Sequence, residues 1–418
     1  MPQPDPKLVP FPNTGGSVQT KSVRDPRLDA LRGLALVMIF INHVPGNPFE
    51  GFTNRNFGFS DAAEGFFVLS GTAAGLAYSS RLTNKSVASG GLWAGVRPMW
   101  ARAWTLYLVQ LFLTAWAIAI FALGASYFGL PQLLTQINLK QVFLNTGEAL
   151  AGIPMLGHQL GYVNILPAYT TLLLVGPLMI YGALRRPALV MLASVAVWFV
   201  AGVFRLNFPN FPNPGGWFFN PFAWQLIFTV GLLIGVKMRQ GERLVPKSKP
   251  LLYLTAGYLV FVLLWMKIPP LASLLNNGLA YLGRNGVPFH IISHDKTFVA
   301  LPRLLHVMAL VYVLSYFEGV TRAAGSAIAG PFRMMGRQGL LVFSGGTLLS
   351  LAFQVLMAGV DHPALPWLLP AAGIAMMITI AYLAEASSKK RVHSIVVTEA
   401  DPAANPANPD LPKRSQGL

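Results

Sequence analysis

Runs of apolar residues, long enough to cross a lipid bilayer and repeated along the chain, constrain its fold more than anything else. From Trp104 to Gly124 there is no charged residue. A helix needs roughly 20 mostly apolar residues to cross the hydrocarbon core. The pattern predicts ten spans: Leu31–Val44, Gly65–Ser80, Trp104–Gly124, Ile165–Leu184, Ala188–Phe204, Pro221–Val236, Leu251–Met266, Val299–Phe317, Leu340–Gly359 and Leu365–Ala384. Helices satisfy their own backbone polar groups, as lipid demands. The expected fold class is therefore an all-α polytopic membrane protein with about ten transmembrane helices. Charged residues make up only 11% of the chain, against about 25% in an ordinary soluble domain.

The net charge is +16. Nucleic-acid binding would account for that excess, but membrane topology accounts for it better. With the N-terminus inside, the cytoplasmic segments and tails hold 23 basic residues. The opposite side holds five: Arg55, Lys140, Lys267, Arg284 and Lys296. Positive residues gather on the cytoplasmic side of membrane proteins, so both termini are expected in the cytoplasm and the location in the inner membrane. Residues 1–23 are polar and Pro-rich and do not read as a signal peptide. The expected organisation is a disordered N-terminal tail over 1–23, a membrane domain over 24–385 and a disordered C-terminal tail over 386–418. Three loops on the far side stand out by length: 125–164, 205–220 and 267–298. The middle one reads either as an interfacial cap or as a wall for a sugar or lipid. Cys is absent, which removes disulfides, thiolate metal sites and cysteine nucleophiles.

Polar residues inside the spans are costly and commonly face a bundle interior. The first span carries Asp29, Arg32, Asn42 and His43. Eleven residues of helix place Arg32 and His43 about 16 Å apart along the axis and on one face. Asp29 lies close to that face; the bland alternative is an Asp29–Arg32 ion pair, with His43 at the interface. Asp61 and Glu64, at the start of the second span, fall at the depth of His43. A carboxylate there would fix the imidazole tautomer and raise its basicity. Ser70, Gly71 and Gly75 follow and suit close helix packing; no GxSxG elbow surrounds Ser70.

The eighth span adds Arg303 and His306, three residues apart on one face. Arg303 reads either as an oxyanion or carboxylate partner or as a cation snorkelling from a helix end. His290, His294 and Asp295 match no strict metal motif, and no metal is expected. On the cytoplasmic side, Arg97, Arg102, Arg333 and Arg337 serve either as anchors to anionic head groups or as contacts to donor phosphates.

Arg27-Leu-Asp29-Ala-Leu-Arg32-Gly33, the Arg32-to-His43 interval, Phe66-Phe67-Val68-Leu69-Ser70-Gly71, the Arg97–Tyr107 stretch and Pro302-Arg303-Leu-Leu-His306 together resemble the OpgC family. That family is implicated in succinylation of osmoregulated periplasmic glucans and is related to the acyltransferase-3 superfamily of membrane acyltransferases. The resemblance implies that His43 is the catalytic base and that Arg32 positions the donor or holds the active conformation. It implies acyl-CoA, succinyl-CoA for a glucan succinylase, as a donor substrate rather than a tightly bound cofactor. It implies a hydroxyl of a periplasmic glucan or other glycan as acceptor, and lipid as the surrounding partner. Asp29, Asp61, Glu64, Arg303 and His306 complete the expected catalytic set, and Arg97, Arg102 and Arg337 the expected donor-binding set. The competing class is a proton-coupled transporter of a small anion or glycan-related solute, which intramembrane His, Arg and Glu would also suit.

Overall fold

In the computed structural model, residues 25–400 are described, with side chains to 388. Counting α-helices of eight residues or more, the order is α1 Pro26–Asn42, α2 Ala62–Tyr78, α3 Asn84–Phe128, α4 Ile165–Arg185, α5 Pro187–Phe204, α6 Pro221–Arg239, α7 Lys249–Lys267, α8 Pro269–Arg284, α9 Leu301–Tyr316, α10 Glu318–Gly325, α11 Gly330–Arg337, α12 Gly339–Gly359 and α13 Leu365–Ala400. The protein is all-α and polytopic. Among the described residues, seven helices (α3 to α7, α12 and α13) are long and apolar enough to span a membrane, or eight if α9 and α10, bent by 78°, form one broken span.

The expected spans that fall short of that length are those with polar clusters. Helices α1 and α2 have 17 residues each and α9 has 16. Seventeen residues rise about 25 Å, a little under the roughly 30 Å hydrocarbon core. The N-termini of α1 and α2 are given over to polar turns capped by Asp25 and Asp61. The tail expected over 1–23 lies outside the described residues, as does 401–418 of the tail expected over 386–418. Helix α13 continues past 385, the expected end of the membrane domain, to Ala400. Arg205 follows α5 and opens the loop 205–220.

Helices α2 and α6 are the centre of the bundle and pack most extensively on each other. Their seam is built from glycine. A Cβ on Gly71 would lie 2.1 Å from the Phe228 carbonyl oxygen, and one on Gly231 would lie 2.1 Å from that of Val68. Gly75 and Gly235 repeat the arrangement one turn on. Small residues spaced by four let the backbones meet, which is how helices associate where lipid removes the hydrophobic drive. Helix α1 packs on the other side of α2 and also on α11 and α12. Helix α7 has one buried residue, Val262, and α8 has none, so these two lie at the periphery.

Trp224 on α6 is fully buried against Phe67 and Phe219, each at 4.7 Å between ring centroids. Its indole donates to the Lys296 carbonyl at 3.1 Å. Trp198 on α5 donates to the carbonyls of Phe298 and Val299 at 3.1 and 3.0 Å. Two indoles from the core therefore fix the segment 296–299 and leave the Lys296 side chain on the cavity side.

Candidate active site

At the end of the bundle where α1 stops, a cavity of about 1370 Å³ opens. All three long loops reach it. Gln136, Ile137, Asn138, Gln159 and Tyr162 line it from 125–164, Asn210, Phe218 and Phe219 from 205–220, and Asn276, His294 and Lys296 from 267–298. The loop 205–220 is thus a wall. It is tied to its neighbour, since the Gln159 amide donates to Asn210 Oδ1 at 3.2 Å and Asn138 Nδ2 donates to the Gln159 carbonyl at 3.1 Å.

His43 caps α1 and lines this cavity. Its backbone carbonyl accepts from Gln354 Nε2 on α12 at 2.7 Å. Its ring meets Tyr162 edge to face, 4.8 Å between centroids. Tyr162 has φ 67°, and Ile137 and Asn138 on the same wall have φ 47° and 66°. Non-glycine residues in that region cost about 1–3 kcal/mol each and cluster at functional sites. Neighbouring Asn42 also lines the cavity, its Oδ1 accepting from the Thr53 hydroxyl at 2.8 Å.

Among the described residues, no hydrogen bond joins the His43 ring to Asp61 or Glu64. Asp61 and Glu64 are each committed to a cation. Asp61-Ala-Ala-Glu64 is a capping box: Asp61 accepts from the Ala63 amide at 2.8 Å and Glu64 from the Asp61 amide at 2.9 Å. Carboxylates suit a helix N-terminus. Glu64 is completely buried and binds Arg303, whose Nε lies 2.8 Å from Oε1. Arg303 sits in the first turn of α9, where the helix dipole disfavours a cation, and Glu64 offsets that. Asp61 pairs with Lys296 and lies 3.6 Å from Arg303. Burial raises the Asp61 carboxyl, but the charges of Lys296 and Arg303 outweigh it and hold the group well below the usual carboxylate range. Glu64 does not line the cavity, whereas Asp61, Lys296 and Arg303 do.

His306, expected in the catalytic set, lies away from the cavity. It is 5% exposed, lies outside the cavity lining, and accepts at Nδ1 from the Ser60 hydroxyl at 2.6 Å and the Ser60 amide at 3.3 Å. A Cβ on Gly58 would fall 1.9 Å from its Nε2. His306 fastens the loop before α2 onto α9. His290 packs against Trp198 and Phe199, while His294 tilts against Phe59 at 4.2 Å, so the two do not converge.

At the opposite end of α1, Arg32, Arg102 and Arg337 line a second cavity of about 460 Å³. Arg32 donates to the Leu69 carbonyl at 3.2 Å and Arg337 to Glu385 at 2.6 Å. Asp29 is buried beside them on α1, where its backbone carbonyl faces Gly336 of α11. Arg97 is exposed and lines neither cavity. Arg333 is spent on the carbonyls of Ala324 and Ser326. The shared face of Arg32 and His43 thus serves two cavities rather than one passage.

Tyr162, Lys296 and Gln354 were missed as site residues by sequence reasoning. Lys296 did carry a signal, as a basic residue on the side where few occur. Tyr162 and Gln354 carried none, because each reaches the site only through tertiary packing.

Fold and site together define a polytopic helical membrane protein with separate polar cavities at the two ends of one short helix. Residues 24–389 match the family model for OpgC protein, and the chain belongs to that family. Membership and fold support a membrane acyltransferase function in general. No curated protein and no solved structure matches the chain.

Proposed function

We propose that the protein transfers a succinyl group from cytoplasmic acyl-CoA to a hydroxyl of a periplasmic glucan or other glycan. The observation that carries this reading is His43, with neither ring nitrogen hydrogen-bonded to a described residue, on the wall of a cavity lined by amides and aromatic rings. Both termini are then cytoplasmic, the His43 cavity faces the periplasm, and the Arg32 cavity faces the cytoplasm.

The acceptor cavity suits a glycan. It exceeds the roughly 300–1,000 Å³ of a drug-sized pocket. Asn42, Asn138, Asn164, Asn210 and Asn276 supply paired donors and acceptors, and Phe59, Tyr162 and Trp265 supply apolar faces. The cations on its wall, Arg55, Lys296 and Arg303, each have a carboxylate partner in Glu50, Asp61 and Glu64. A charge-balanced cavity fits a neutral acceptor better than an anionic transport substrate. The donor cavity gathers three guanidiniums, Arg32, Arg102 and Arg337, the groups that recognise phosphate.

His43 takes the proton of the acceptor hydroxyl as its oxygen attacks the thioester carbonyl. Arg303, oriented by Glu64, and Lys296 stabilise the oxyanion. The tetrahedral intermediate collapses, the carbon–sulfur bond breaks, and the thiolate leaves with the proton returned from His43. The products are a glycan ester and free CoA, with no thiol on the protein required. Mass spectrometry of periplasmic glycans from cells with and without the protein tests the reading, since it reports acyl group and acceptor together. Loss of a succinyl ester in its absence is expected; unchanged glycans, with donor-independent solute flux in proteoliposomes, would favour the transporter.

A further inference from the structure

The two cavities approach each other inside the bundle, and Phe343 on α12 lines both. On α2 the lining changes from Ala63, in the His43 cavity, to Phe66, in the Arg32 cavity. Three residues of helix rise about 4.5 Å, so the separation there is about one side chain thick. On α4 it changes between the adjacent residues Ile165 and Leu166. The Phe66 and Phe343 rings stack with centroids 6.4 Å apart and planes 29° apart. Phe66 also meets Tyr169 edge to face at 6.1 Å. Phe343 is 4% exposed and belongs to the core.

From this geometry we infer that Phe343, backed by Phe66, is the partition between the two cavities, and that the transferred acyl group must pass it. This rests on the acyl-transfer reading above for what passes; the partition itself rests on the cavity linings alone. A continuous polar path would let solutes and protons leak across the membrane. Apolar constrictions close such paths by excluding water. A phenylalanine ring does so with two rotatable bonds, so a slender acyl thioester displaces it by side-chain rotation while the bundle stays packed. The aperture it leaves sets the width of acyl group accepted.

Because the chain contains no Cys, single cysteines report accessibility without background. Ala73 lines the Arg32 cavity and Ala272 the His43 cavity. Ala73→Cys and Ala272→Cys are each made in the native background and with Phe343→Ala or Phe343→Leu, the latter retained in case the alanine does not fold. A membrane-impermeant cationic methanethiosulfonate is applied to the periplasmic side of intact spheroplasts. The Ala272→Cys thiol should label in every background, which shows the cavity is intact and fixes the sidedness. The Ala73→Cys thiol should be protected when Phe343 is present and gain labelling when it is shortened. Labelling with Phe343 in place, or no gain on shortening it in folded protein, overturns the partition. Neither result depends on transfer activity. In the transfer assay, Phe343→Ala should accept branched or longer acyl-CoA donors that the native protein rejects. An unchanged donor profile overturns the aperture role, whereas no transfer by the native protein would instead count against the acyl-transfer reading.

Discussion

Asp61, Glu64, Lys296 and Arg303 hold one another in place. Arg303→Lys keeps the charge but loses the planar contact to Glu64, and should lower transfer roughly 10²-fold with little change in thermal stability, as read by parallel rate and melting measurements. Lys296→Met leaves Asp61 with only its 3.6 Å contact to Arg303 and should cost roughly 1–3 kcal/mol. Adding Asp61→Asn should recover part of that loss, since Asn still caps a helix; thermal melts in detergent complete the double-mutant cycle. The Asp61 carboxyl is depressed in the folded protein, so its stabilisation is full above the usual carboxylate range near pH 4 and is lost only as pH falls through its lower folded value. His43, Arg32, Asp61 and Arg303 stood out in the sequence because an ionisable residue in an apolar run is rare. The pairing was not legible, because Glu64 and Arg303 are 239 positions apart and charge depth alone does not separate Arg303 from His43 as the partner of Glu64.

At the scale of elements, the long apolar helices were legible from hydropathy, and the short ones less so. Helices α1, α2 and α9 depend on neighbours more than on length, and α1 and α2 also on side-chain caps. Gly71 and Gly75 read as packing residues in the sequence, but their partners Gly231 and Gly235 were visible only once α2 met α6. Gly231→Leu should therefore abolish the monodisperse folded protein in fluorescence size-exclusion chromatography. Gly257→Leu, on peripheral α7 where a Cβ would have nothing within 4 Å, should leave the profile unchanged. Comparable loss from both would mean that the α2–α6 seam is not the tight contact described. His306 belongs at this scale too: its bond to Ser60 joins the loop before α2 to α9, a role that spacing on α9 alone did not reveal.

Over the whole molecule, the three long loops and the ends of α1, α2 and α9 converge on one cavity, and the arginines of α1, α3 and α11 on another. The role proposed for His43 is that of the base in the first of these. The most direct measurement is transfer of labelled succinyl from succinyl-CoA to glucan in membranes carrying equal amounts of folded native protein and His43→Ala. The alanine variant should retain its fold and lose transfer by about 10²–10⁴-fold, the usual contribution of a positioned general base. Transfer at the native rate by folded His43→Ala would rule out His43 as the base.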